Sequence, residues 1–184
     1  MKKFTNILSF ALLTLTLSSC LKDKGYEENK YGINQDVAES LKVINMPVTG
    51  TTFTIAKTIS LAAAGGTAVT NTLPIHLSAK DVASEDIAVT VAPDAAVLAT
   101  YNATLATASQ YVQAPAANYT IANAGVTTIP SGSRDAAGVA ITYTPNTLGV
   151  GRWAIPVKIT SVNKSGYTIS GNQYYRILTI VVNP

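Results

Sequence analysis

The chain has few of the residue types that build covalent cross-links or metal centres, since it contains one cysteine, Cys20, and one histidine, His76. A single cysteine excludes an internal disulfide, so the folded part must be stabilised by packing. Charged residues are sparse and form no basic stripe of the kind that nucleic-acid binding requires. No phosphate loop, zinc-ligand spacing, nucleophile elbow or dinucleotide fingerprint is present. We therefore expect no cofactor, no metal and no nucleic-acid partner.

Residues 1–19 have the pattern of an export signal. Lys2 and Lys3 supply a positive start, and residues 7–17 form a short apolar core that is too short for a membrane span. Cys20 follows two small residues, Ser18 and Ser19. This arrangement resembles the lipobox of bacterial lipoproteins, in which the cysteine is lipidated and becomes the new N-terminus. The alternative is an ordinary secreted protein with an incidental cysteine.

Residues 20–36 predict a lipidated cysteine followed by a flexible tether, because the segment is polar, rich in charge and without hydrophobic period. As a coil it would span roughly 20 Å. We expect the chain to be lipid-anchored in the outer membrane, on the cell surface or on the periplasmic face. Loss of residues 1–19 leaves 165 residues with a net charge of +1. Residues 37–184 are thus large enough for one domain with a core of its own.

Short runs of alternating apolar and polar residues predict that residues 37–184 form an all-β domain. They lie at residues 44–48, 53–61, 73–77, 87–91, 139–143, 153–159 and 174–182. The last run is apolar on both faces, as a strand between two layers would be. Gly-, Pro-, Ser- and Asn-containing turns separate the runs. The pattern predicts an antiparallel, immunoglobulin-like β-sandwich.

One segment has a helical pattern. Asp94 is a good N-cap, and Val97, Leu98, Tyr101 and Leu105 after it fall on one helical face. We expect one short helix packed across an end of the sandwich.

Several short motifs recur in an order that resembles a known family. The series begins with Asp94, Tyr101-Asn102, Tyr111 and Pro115 before Tyr119, continues with VTTIPSGS at 126–133, and ends with AIPVKITSV at 154–162. This order is similar to the Bacteroidetes lipoprotein family called domain of unknown function 1735, or the BT-3987-like N-terminal domain. The resemblance implies a β-sandwich lipoprotein domain, often encoded beside glycan-utilisation genes and often fused to a glycosidase or carbohydrate-binding module.

Aromatic residues in the second half of the chain are candidates for sugar binding, because flat aromatic faces stack on pyranose rings. Tyr167 lies within a polar loop and Tyr174 begins the last strand, while Arg134 could add a hydrogen-bonding fork. Tyr175 is a further aromatic of this kind. Ordinary packing is the alternative for all of them. Trp153 alternates with core residues and is predicted to be buried.

Residues with catalytic or metal-binding chemistry form no recognisable set. His76 is predicted on the outer face of a strand, and no nucleophile motif accompanies it. The acids Asp81, Glu85, Asp86 and Asp94 match no calcium loop, so we interpret them as solvated turn residues.

The chain is accordingly not predicted to be an enzyme. We expect a non-catalytic module of the envelope that binds glycan or assists a glycan-utilisation system. The alternative is a structural or adhesion module that binds an envelope protein through an exposed strand edge.

Overall fold

Strands dominate the part of the chain that the computed structural model describes, which is residues 41–48 and 52–184. The predicted all-β sandwich is confirmed. Cys20 and the predicted tether lie outside the described residues. The strands are β1 (Val43–Asn45), β2 (Thr54–Ser60), β3 (Val69–Leu73), β4 (His76–Ser78), β5 (Ile87–Pro93), β6 (Val112–Gln113), β7 (Tyr119–Ile121), β8 (Val126–Ile129), β9 (Val139–Tyr143), β10 (Gly151–Val162), β11 (Thr168–Ile169) and β12 (Tyr175–Asn183).

One layer of the sandwich is a six-stranded sheet in the order β2-β12-β10-β5-β8, with β6 beside the first half of β10. The long strands β10 and β12 form its centre and pair antiparallel from Gly151 opposite Val182 to Lys158 opposite Tyr175. Strand β12 has β2 on its other side, so its backbone groups are hydrogen-bonded on both edges. The sequence run with two apolar faces is therefore a central strand, as predicted.

The other layer consists of two three-stranded groups, β3-β9-β7 and β11-β1-β4. They adjoin at Pro74 and Ile75, which separate β3 from β4. Proline has no N–H to donate to a neighbouring strand, so the regular pairing stops there. Backbone hydrogen bonds at Ile75 and Leu77, to Ala136 and Arg134, extend the β3–β9 pairing past the break.

The core lies between the two layers and is built from the alternating residues that the sequence pattern selected. Fully buried side chains come from both layers, for example Ile44, Leu73 and Ile141 from one and Ile155 and Leu178 from the other. Trp153 packs against this core and donates its ring N–H to the Gly149 carbonyl at 3.0 Å.

Three of the strand pairs are parallel: β2 with β12, β1 with β11, and β6 with β10. The remaining pairs are antiparallel, as the sequence predicted. The partners in the parallel pairs are far apart in the chain. A hairpin turn forces antiparallel pairing, but strands joined through long connections are free of that constraint. Local turn residues therefore do not predict that these three strand pairs are parallel.

Among the described residues, three short α-helices interrupt the strands: α1 (Leu61–Ala64), α2 (Ala95–Asn102) and α3 (Pro145–Leu148). Helix α2 is the predicted one, and Asp94 caps it by accepting hydrogen bonds from the backbone N–H groups of Ala96 at 2.8 Å and Val97 at 3.4 Å. The expected position at an end of the sandwich is wrong. The helix covers the outer face of the six-stranded sheet, where Val97 and Leu98 pack on Ile177.

The apolar outer face of β10 and β12 explains this position, because that face would be left in water without the helix. Within the described residues, no helix has the length and hydropathy needed to cross a bilayer.

Candidate functional site

A cleft of about 480 Å³ opens on the outer face of the six-stranded sheet, beside helix α2. The start of β12 and the middle of β10 form its floor, where Tyr175 and Lys158 are cross-strand partners. The first turns of α2 form one wall, and the turn that precedes β12 contributes to another. The lining residues are Phe53, Asp94, Ala96, Val97, Thr100, Lys158, Gly171, Asn172, Tyr174 and Tyr175.

Three aromatic rings form a continuous cluster in this cleft. The rings of Phe53 and Tyr175 are stacked, with centroids 5.0 Å apart and planes inclined by 17°. Tyr174 meets Tyr175 edge-on at 5.1 Å, with an interplanar angle of 70°. All three side chains are half-buried. The cluster is held in place by these ring contacts, and it presents aromatic surface to the cleft with little conformational freedom left to lose.

A charged pair lies beside the aromatic rings. The Lys158 ammonium forms an ion pair with the Asp94 carboxylate. Hydrogen bonding to Lys158, and then to the helix N–H groups, lowers the pKa of Asp94, although desolvation works in the opposite direction. The same hydrogen bond raises the pKa of Lys158. Both groups are therefore charged at neutral pH, and the cleft presents a hydrogen-bond acceptor and a donor a short distance apart.

The arrangement suits a polar ligand with a flat apolar face. The aromatic surface can cover one face of such a ligand, while Asp94, Lys158 and Asn172 offer acceptors and donors for its hydroxyl groups. Asp94 is the only carboxylic acid among the residues that line the cleft. A glycosidase needs two carboxyl groups, one of them with a raised pKa. The cleft provides one, whose pKa is lowered.

Of the three predicted ligand-binding residues, only Tyr174 lines this cleft. Tyr167 packs against the core, and the ammonium of Lys42 lies 5.1 Å from the centre of its ring. The guanidinium of Arg134 donates hydrogen bonds to the backbone carbonyls of Ala79 and Lys80, next to β4. The structure thus does not bring the three residues together, and the polar group of Arg134 is used within the fold.

The other residues with catalytic or metal-binding chemistry are also separated. His76 lies half-buried on the outer face of β4, as predicted, and its Nδ1 is 2.7 Å from an oxygen of Asp135. Glu85 pairs with Lys164 at 2.5 Å, and Asp86 accepts a hydrogen bond from the backbone of Ser131. Within the described ranges, no three His, Cys, Asp or Glu side chains converge as a metal site would require.

Sequence reasoning missed most of the cleft. The sequence pattern marks Asp94 as a helix cap and a solvated acid, and it places Phe53 and Lys158 within predicted strands, so it does not indicate that any of the three lines a cleft. These residues lie far apart in the chain and meet through the pairing of β2, β10 and β12. Tyr175 carried the only local signal, because it adjoins Tyr174 just after a turn.

The model of an N-terminal domain family matches residues 49–166, which is more than half of the chain. A search of curated proteins gave no match. Similar solved structures come from Bacteroides species. EndoBT-3987 of Bacteroides thetaiotaomicron, solved with a Man5GlcNAc product, is 26% identical and superposes with a TM-score of 0.53 over 69% of this chain.

Two further structures are from Bacteroides ovatus. One is a multidomain protein that includes domain of unknown function 1735, with 19% identity and a TM-score of 0.56 over 77% of this chain. The other is a candidate carbohydrate-binding protein, with 14% identity and a TM-score of 0.58, also over 77%. At these identities the two likenesses show a shared fold. The chain spans 28% of EndoBT-3987, 45% of the multidomain protein and 37% of the candidate binding protein.

Proposed function

The chain belongs to the family of BT-3987-like N-terminal domains, or domain of unknown function 1735, and from this premise we propose that it is a non-catalytic glycan-binding module of an envelope lipoprotein. The observation that carries the proposal is the cleft beside helix α2, which combines three packed aromatic rings with the Asp94–Lys158 pair. Its volume of about 480 Å³ lies within the roughly 300–1,000 Å³ of small-ligand sites. The structural relatives support the same class of ligand, since one is a candidate carbohydrate-binding protein and another was solved with a sugar product.

Two observations favour binding over catalysis. The cleft has one carboxylic acid, Asp94, and the pKa of this group is lowered by its hydrogen bond to Lys158. A general acid for glycoside cleavage needs a raised pKa and a second carboxylate partner. The paired charges fit better as fixed partners for sugar hydroxyl groups.

The location is part of the proposal. Lipid on Cys20 would hold the domain at the outer membrane, on the surface or on the periplasmic face, and residues 21–36 would separate it from the lipid. Cys20→Ser is expected to abolish lipid labelling and detergent-phase partitioning. Protease treatment of whole cells separates the two faces, because only surface-exposed protein is cleaved. Membrane attachment that survives Cys20→Ser would refute the anchor.

Glycan binding is tested by an array followed by calorimetry on the purified protein. Replacing Tyr174 with alanine removes one ring of the cluster. An aromatic contact contributes about 0.5–1.5 kcal/mol, so affinity should fall roughly two- to tenfold. Tyr167→Ala is the matched control, because that ring lies outside the cleft, and its affinity should equal that of the wild type. Equal affinity for all three proteins, or binding to no glycan, would contradict the proposed site.

A protein partner is the alternative, and the open side of β2 favours it. Within the part of the chain that the structure describes, this seven-residue strand is an edge of the six-stranded sheet, and its middle residues, Ala56, Lys57 and Thr58, are exposed. An unpaired strand edge can accept a strand from another protein. Specific co-purification of one envelope protein that is lost with Ala56→Pro, together with no glycan binding, would favour this function.

A further inference from the structure

Arg176 is a buried cation on the inner side of the six-stranded sheet. It follows Tyr175 on β12, so the two side chains leave the strand on opposite faces. Tyr175 lines the cleft described above, whereas Arg176 points between the layers and is 3% exposed. Arginine is seldom buried to this extent without a carboxylate partner.

The hydrogen bonds of Arg176 leave part of its guanidinium unused. One terminal nitrogen, Nη2, donates to the Met46 carbonyl at 2.6 Å, and the other, Nη1, donates to the Tyr175 carbonyl at 3.4 Å. A guanidinium has five N–H donors. The ion pairs formed among residues 41–48 and 52–184 do not include Arg176. Burial accordingly lowers the pKa of Arg176, as expected when no opposite charge compensates for the lost water.

The side chain borders a small cavity of about 220 Å³ at the opening between the layers. The other lining residues are Pro47, Thr52, Thr54, Ile55 and Pro74. Two prolines and an isoleucine make most of this wall apolar, while the two threonine hydroxyls can donate hydrogen bonds. The cavity therefore joins one cation and two neutral donors in an otherwise apolar surrounding.

We propose that this cavity, the Arg176 pocket, binds a single carboxylate group of a small ligand. The planar guanidinium matches the two oxygens of a carboxylate. One cation neutralises one negative charge, whereas a phosphate would bring up to two charges into a largely apolar cavity. The volume of about 220 Å³ is below the roughly 300–1,000 Å³ of sites that enclose whole drug-sized ligands. It therefore suits a free small carboxylate or the acid group of one uronic acid unit.

The pocket is separate from the glycan cleft, because the two share no lining residue. The proposal therefore does not depend on glycan binding at Tyr174, and either site can fail without the other. The two sources of the carboxylate are distinguished by using acetate and galacturonate as probes, with galactose as the neutral counterpart of galacturonate.

The test is an NMR titration of the purified protein at constant ionic strength. Saturable shifts are expected for the Arg176 Nε–H and for the amides of Thr54 and Ile55 on addition of acetate or galacturonate, and not with galactose. Tighter binding of galacturonate than of acetate would identify an acidic sugar as the source, and equal affinity would identify a free carboxylate. Absence of saturable shifts with both probes, or equal shifts with sodium chloride, would overturn the proposal.

Two variants test the role of the planar guanidinium of Arg176. Arg176→Lys keeps the charge and loses the bidentate geometry, so carboxylate affinity should fall at least tenfold. Arg176→Met removes the charge and should abolish binding, and an apolar residue of similar volume is generally tolerated at a buried ionic position. Tyr167→Ala is the matched control, because Tyr167 lines neither the cleft nor the Arg176 pocket, and it should bind carboxylate like the wild type. Wild-type affinity in Arg176→Met would also overturn the proposal.

Discussion

Replacing Asp94 with alanine removes a side chain on which the helix and the cleft both depend. Asp94 accepts two backbone hydrogen bonds at the start of α2 and pairs with Lys158 on β10. The helix in turn covers Ile177 on the outer face of the sheet through Val97 and Leu98. Loss of the cap should therefore loosen the layer that closes this face and forms one wall of the cleft.

The size of the effect follows from the geometry of the cap. The bond from the Ala96 N–H is 2.8 Å long and well formed, whereas the bond from the Val97 N–H is 3.4 Å and weak. One good capping bond is worth about 1 kcal/mol. The ion pair adds less than the cap, because Lys158 is partly exposed to solvent and salt screens the attraction. In a protein of this size, about 1 kcal/mol lowers Tm by roughly 2–4 °C.

Urea denaturation at pH 7, together with thermal melts, measures the loss. Asp94→Asn is the matched control, because asparagine caps helices as well as aspartate but cannot form the ion pair. Asp94→Ala should lower the free energy of unfolding by about 1 kcal/mol with an unchanged urea m-value, and Asp94→Asn by less than half of that. Equal losses in the two variants would show that the ion pair, and not the cap, is the main contribution. Wild-type stability in Asp94→Ala would refute the reasoning altogether.

Three other expectations follow from single residues. The pKa of Asp94 is lower in the folded state, so its ionised form adds stability that is present above about pH 4 and is lost as pH falls through the folded pKa. The stability difference between the wild type and Asp94→Asn should therefore shrink on acidification. Gly125→Ala should lower the free energy of unfolding by at least about 2 kcal/mol, because φ is +82° and the new Cβ would collide with the Val91 carbonyl oxygen. Gly132→Ala, with a φ of +80° and open space around it, should lower it clearly less in the same urea assay. Leu178→Ala should lower the free energy of unfolding by about 2–5 kcal/mol, since the side chain is buried between the layers. A smaller decrease than for Gly132→Ala would contradict the assignment of Leu178 to the core.

The long strands could be predicted because burial in a sandwich imposes a period of two on each strand. The runs at 139–143 and 87–91 became β9 and β5, and the run with two apolar faces became β12 between two neighbours. The short strands β6, β7, β8 and β11 were not predicted, because two to four residues are too few for a period to appear. The helix start was predictable for a local reason, since a cap depends on three consecutive residues after Asp94.

The location of α2 was not predictable, because its apolar face could have covered an end or a face of the sandwich. Only the pairing of β10 with β12 shows which outer surface needed a cover, because it brings Ala154 and Ile177 into one apolar cluster with the helix. The three parallel pairings, among them that of β2 with β12, depend on long connections and likewise became visible only in the folded chain.

By itself the amino-acid sequence determined the sandwich class, the central strands, the cap at Asp94 and the family resemblance, because each is written in neighbouring residues or in their order. The tertiary structure alone decided where the candidate sites lie. It brought Phe53 to Tyr175 and Asp94 to Lys158, and it turned Arg176 inward to a cavity next to Pro47. The physical reason is that alternation states which residues face inward or outward, whereas strand order and register decide which of them meet.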